Sequence, residues 1–311
     1  MNLEEKIPTP SVSNTGSFSQ VPPSAPLKIG KLKASRMIVK ESWNILKQDK
    51  ELVWFPVLSM ISSLVALILM GILFFFIVMD GDIHALDNLK ESGMNVLGYV
   101  ILFVYYLVMF FITNYFLAGV YIIVQGRFGG QNLSLTDGIN GASRNLGKIF
   151  LWSLISATVG VILRIISDKF KVIGRIVASL LGAAWGILTY FSLPSLIIGQ
   201  KSVKESFRES ATLIRKTWGE TIIVNFGVAL FFGILMFFGL ALCIGIAVLM
   251  PVKGVLILVS VLFVIFMIAI TIISSVLGAI FKLALYEFAL TGNVPKGFTS
   301  DLIIGAIRSG K

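Results

Sequence analysis

The sequence predicts an all-α polytopic transmembrane helix bundle with six spans, arranged as three parallel repeats of an interfacial helix followed by a helical hairpin. Three observations predict it. Apolar runs long enough to cross hydrocarbon, which takes about 20 residues of helix, recur six times, near 52–79, 96–124, 149–166, 172–199, 221–250 and 255–290. An amphipathic stretch precedes the first, third and fifth run. Hydrophobic residues make up 56% of the chain and charged ones 14%, whereas soluble domains carry about 25% charge.

Taken in order, residues 1–30 are rich in Pro and Ser (Pro8, Pro10, Pro22, Pro23, Pro26) and poor in large apolar side chains. Such a stretch cannot bury enough surface to offset its ordering entropy, and is expected to be a disordered cytoplasmic tail. No apolar core ahead of a small-residue cleavage site marks a secretory signal, so the first span is expected to direct insertion. The membrane domain is expected over 31–311, in units of about 34–126, 133–199 and 202–290, with a cytoplasmic segment at 291–311.

Each unit opens on a helical stripe with period near 3.6. The first has Ile38, Val39, Ser42, Trp43 and Leu46 on one face, with Lys40, Asn44 and Lys47 opposite. The second has Leu135, Ile139, Ala142 and Leu146, with Asp137, Arg144 and Lys148 opposite. The third has Val203, Phe207, Ala211, Ile214 and Trp218, with Arg208, Glu209 and Lys216 turned away. Polar faces of this kind suit the headgroup plane. Ser134 with Asp137 and Ser202 with Glu205 have capping-box spacing at two of the helix starts. Trp54, Trp152 and Trp218 fall where indoles favour a membrane boundary. Because every unit starts and ends on one side, the repeats are parallel, related by an axis along the membrane normal. Gly292-Asn293 with Phe298 echoes Gly130-Gln131-Asn132 and its following helix. The last span is too long for a perpendicular crossing, so it tilts or projects past the bilayer between Lys282 and Glu287.

In the fourth span, Gly174, Ala178, Gly182 and Gly186 recur every four residues. That stripe predicts helix packing, since helices in lipid associate where small residues let backbones approach. Trp185 and Pro194 complete the segment.

The net charge of +10 is unevenly placed. Assigning loops by the six spans puts 20 of the 26 Lys and Arg on one side. The positive-inside rule then places both termini in the cytoplasm, in the plasma membrane. The basic excess is juxtamembrane, which points to membrane lipids with anionic headgroups as partners rather than to nucleic acid. A protein partner or a homo-oligomer stays open. A single cysteine, Cys243, excludes an intrachain disulfide or a Cys-based metal centre.

Several stretches also carry a resemblance. The run 42–52 (SWNILKQDKEL) with Phe55-Pro56, then Ala157-Thr158-Val159-Gly160 with Arg164, is similar to a family of uncharacterised prokaryotic six-span integral membrane proteins. So are Gly182 and Trp185 with Pro194, the run 215–220 (RKTWGE), and Ala284-Leu285-Tyr286 with Gly292 and Phe298. The resemblance covers roughly 35–311; Gln200 stands where that family often has an acid. It implies a topology but no activity.

Candidate chemistry is sparse. Asp80, Asp82, His84 and Asp87 have ligand types for a divalent cation, but no second His or Cys cluster completes a shell and a solvated acidic loop explains them. Arg164, Asp168 and Arg175 crowd a basic outer turn: either an anion pathway, or an i,i+4 ion pair with a snorkelling arginine. Asn114, Asn225, Thr271, Ser274 and Ser275 are intramembrane polar groups that line a route or bond neighbouring helices. Lys282, Tyr286 and Glu287 are an ion relay or a charged helix end. No nucleophile–base pair, G-x-S-x-G elbow, H-E-x-x-H pair or P-loop appears, so no catalytic, cofactor or metal residue is expected. The expected function is a non-enzymatic membrane-organising or partner-binding scaffold. The alternative is a transporter or channel for a small solute or ion, and a lipid-modifying enzyme comes third.

Overall fold

The computed structural model describes residues 31–78, 96–249 and 253–299, with the side chains of 31–36, 77–78, 171, 216–230, 247–249 and 253 outside that description. The expected tail, the 80–91 acidic loop with His84, and Asn225 therefore lie outside the described side chains. Nine α-helices follow one another among the described residues: α1 Lys31–Gln48, α2 Trp54–Val78, α3 Val96–Phe128, α4 Leu135–Arg144, α5 Leu146–Lys169, α6 Lys171–Leu188, α7 Ser192–Ile197, α8 Val203–Leu249 and α9 Lys253–Thr291. A single 3-10 turn, Lys50–Val53, joins α1 to α2.

Five stretches are long and apolar enough to cross a membrane: Lys50–Phe76, Val96–Phe128, Leu146–Lys169, Val172–Ile197 and Gly254–Thr291. Their apolar surface is not used up inside the protein. The most apolar windows of α2 and α3 are 0% buried and that of α9 only 6%, so these faces need hydrocarbon around them. The expected crossing at 221–250 falls within α8, where the described apolar stretch is Phe231–Ile246.

Two expected boundaries differ. The stretch 172–199 is not one helix but α6 and α7, broken at 189–191. Pro194 lies in the first turn of α7, where a missing N–H costs nothing. The third amphipathic segment is not a separate helix; it is the start of α8, whose 47 residues run roughly 70 Å. Nothing between Val203 and Leu249 stops it: there is no proline. The break between α4 and α5 does have a cause, because the Asn145 amide donates back to the Gly141 carbonyl at 2.9 Å.

The buried core sits at one end, here termed the capped end, where α1, α4, α7 and the first turns of α8 meet the spans. Phe55, Tyr121, Phe191, Leu277, Phe281 and Tyr286 are each at most 1% exposed. Away from it the helices show their side chains: Val96 is 81% exposed, Leu180 66% and Phe237 67%. Charged bonds tie the capped end together. Arg127 donates through Nε to Asp49 at 2.5 Å, through Nη2 to the same carboxylate and to Asn132 Oδ1 at 2.7 Å. The Leu135 N–H donates to Glu51, Lys148 to Gln200 Oε1 at 2.9 Å, and Thr299 to Glu41.

The packed faces mix small residues with bulky ones. Buried positions are Ile38, Ser42, Ile45 and Leu46 on α1, Gly138, Gly141 and Ala142 on α4, and Val203, Ser206, Ser210, Leu213 and Ile214 on α8. Trp43 and Leu146, expected on the buried stripes, are 37% and 43% exposed. A Cβ at Gly138 would stand 2.7 Å from the Phe55 ring, and one at Gly141 2.7 Å from Ile122. The stripe on α6 contributes less than expected. Gly174 is buried against the α5–α6 turn and Ala178 is half-buried, but a Cβ at Gly182 would meet only Leu163 at 3.5 Å and one at Gly186 nothing within 4 Å. Farther from the turn the two helices meet through larger side chains, Leu163 beside Gly182 and Trp152 stacked on Trp185, rather than by close backbone approach.

Candidate functional site

The break between α6 and α7 leaves backbone groups without helical partners. Ser210 of α8 meets them: its hydroxyl donates to the Leu188 carbonyl at 2.7 Å and accepts from the Phe191 N–H at 2.9 Å. That clamp sets α7 beside the first turns of α8, which start from a Ser202 cap. Glu205 accepts from the Ser202 hydroxyl at 2.7 Å and its backbone N–H at 2.9 Å. Those two donors hold the Glu205 carboxyl below its usual range. The Ser134 cap on α4 forms the same reciprocal box with Asp137.

One residue before Ser210, Glu209 reaches across to two helices. It accepts from the Ser195 hydroxyl of α7 and from the Tyr286 hydroxyl of α9 at 3.3 Å. None of the described lysines or arginines pairs with it; the ion pairs among the described residues are Arg127–Asp49 and Arg164–Asp168. A cleft of about 360 Å³ opens beside it between α8 and the end of α9, with Lys201, Arg208 and Leu290 on its walls.

One turn before Tyr286, Lys282 holds its ammonium 4.4 Å from the centre of the Tyr190 ring, a cation–π placement. No described carboxylate pairs with it. Nearby on α3, the buried Tyr121 hydroxyl and Gln125 Oε1 have no hydrogen-bond partner among the described residues, and neither does Glu287 Oε2 on α9. A ladder of stacked rings flanks this region: Trp152 on Trp185 at 6.1 Å, then Trp185 on Phe207 at 5.7 Å. Trp152, expected at a membrane boundary, is thereby buried to 6% exposure.

The remaining expected residues are spread out. Asn114 donates to Ser153 at 3.1 Å, joining α3 to α5. Arg164 donates to Asp168 at 3.0 Å, and Arg175 is exposed; all three lie at the opposite end from Lys282 and Glu287. Thr271 and Ser274 donate to carbonyls of their own helix. No group of three or more His, Cys, Asp or Glu side chains among the described residues is placed to hold a metal.

A model for a family of unknown function, DUF6159, matches residues 96–297. The chain belongs to that family. The matched stretch runs from α3 through the loop after α9, so it contains the α7–α8–α9 cluster and leaves α1 and α2 outside. No curated protein matches the chain, and no solved structure does.

Sequence reasoning missed Glu209, Ser210, Ser195 and Tyr190. Glu209 was expected on the outward face of the third amphipathic stretch. It lies three residues after buried Ser206 and four before buried Leu213, so it belongs to the packed face once serines rather than bulky residues define that face. The serines at four-residue spacing (Ser202, Ser206, Ser210) were the available signal.

Proposed function

We propose that the chain is a six-span plasma-membrane protein with both termini in the cytoplasm, acting as a non-enzymatic scaffold that organises lipid or protein around it. In this reading the second half of α8 is the fifth of the six crossings, and the capped end is cytoplasmic. The recurrence of a short amphipathic helical segment packed at the capped end, in α1, α4 and the start of α8, supports three related units. The observation that carries the scaffold reading is the filled junction of the spans, where Phe55, Tyr121, Phe191, Phe281 and Tyr286 are fully buried, beneath apolar faces free to meet lipid or a partner. Purified chain in liposomes is expected to leave proton, alkali-cation and chloride permeability at the level of empty vesicles. Protein-dependent flux would overturn the scaffold.

A second reading, transport, is favoured by one feature: Lys282, a cation in the last span with no carboxylate partner among the described residues. Flux abolished by Lys282→Met would establish it.

A further inference from the structure

We propose that the cleft between the start of α8 and the end of α9 binds the headgroup of a zwitterionic phospholipid bearing a primary amine. Glu209 receives the ammonium; Lys201 and Arg208 receive the phosphate. The inference rests on the membrane placement proposed above, but not on the absence of transport.

The chemistry follows from which groups are already engaged. Glu205 also lines the cleft and stays charged, but its carboxylate is turned to the cap, accepting both Ser202 donors, whereas Glu209 faces the end of α9. Glu209 is anchored by Ser195 and Tyr286 on the inner side, which fixes the carboxylate without neutralising it. An ammonium supplies the missing positive charge and N–H donors for the strong charge-assisted bonds a carboxylate accepts. Half-buried Lys201 and exposed Arg208 line the same cleft, and Arg suits a phosphate by its forked donors. A bare divalent cation meets repulsion from these two groups, and a purely anionic headgroup meets repulsion from Glu209. An ethanolamine phosphodiester places its two charges two carbons apart and satisfies both. The depth agrees: the cleft lies where α9 ends at Thr291 and α8 leaves its cap, with Leu213 and Leu290 on its walls for the start of an acyl chain.

The test is native mass spectrometry of the full chain released from nanodiscs holding equal parts phosphatidylethanolamine, phosphatidylcholine and phosphatidylglycerol. Wild type is expected to retain phosphatidylethanolamine about tenfold over the other two, the size of one charge-assisted bond. Glu209→Gln, which still accepts from Ser195 and Tyr286, is expected to lose that preference. Lys201→Gln with Arg208→Gln is expected to reduce retention of all three lipids. No ethanolamine preference in wild type, a preference for phosphatidylglycerol, or a preference that survives Glu209→Gln overturns the proposal. Should Glu209→Gln fail to fold, the Lys201 and Arg208 variant decides: unchanged ethanolamine retention overturns it. Ion leakage in the liposome assay would overturn the scaffold reading and leave this assignment standing.

Discussion

Asp49 keeps only 4% of its side chain exposed and Arg127 22%, so each depends on the other for its charge. Removing one partner of such a pair leaves an uncompensated buried ion. Arg127→Met is expected to lower stability by about 3 kcal/mol, and Asp49→Asn added to it to recover part of that loss. Thermal unfolding in detergent checks this; strictly additive effects would show that the pair is not coupled. Ser210 and Ser206 make a second contrast. Ser210→Ala strands the Leu188 carbonyl and the Phe191 N–H and is expected to cost roughly 1–3 kcal/mol. Ser206→Ala removes a buried hydroxyl that has no partner among the described residues and is expected to be neutral or stabilising. At this scale the sequence revealed local pairs and concealed distant ones. Arg164 with Asp168 is legible because the partners are four apart on one helix. Arg127 with Asp49 spans 78 residues, and nothing local links them.

Among the elements, helix starts were the most legible feature. The Ser134 and Ser202 boxes form as their spacing predicts, because a cap needs only four consecutive residues. Packed faces were less legible. Hydrophobic periodicity finds where bulky side chains recur, and in this chain the tightest contacts use the small residues beside them. Phe55 shows the consequence, since its ring fills the space left by Gly119 and Gly138. Gly138→Ala is accordingly expected to destabilise by about 1–3 kcal/mol through overpacking. Gly186→Ala, on the stripe that looked more like a seam, meets open space and is expected to be neutral or to stabilise by up to about 1 kcal/mol through helix propensity. Melting temperatures of the two variants test this, and the reverse order would restore the α6 stripe as the packing surface. The break at 189–191 was hidden for a related reason: Ser210, from another helix, stabilises it.

For the whole molecule, an all-helical fold with five of the six expected stretches long and apolar enough to cross a membrane was readable from apolar run length alone, and the family match agrees with the resemblance over α3 to α9. The fifth of the six expected crossings is harder to read because α8 continues without interruption from a capped, charged start into its apolar half. Its second half must cross if α9 begins on the far side from Lys204. Everything proposed for the capped end depends on this, including the headgroup cleft and the cytoplasmic assignment. The direct measurement is single-cysteine labelling by an impermeant reagent in a Cys243→Ala background, with cysteines placed in turn at Lys169, Lys204 and Lys253. Label at 204 from the cytoplasmic face only, and at 169 and 253 from the opposite face only, is the predicted result. Positions 204 and 253 labelled from the same face would mean that α8 does not cross, and would contradict the account.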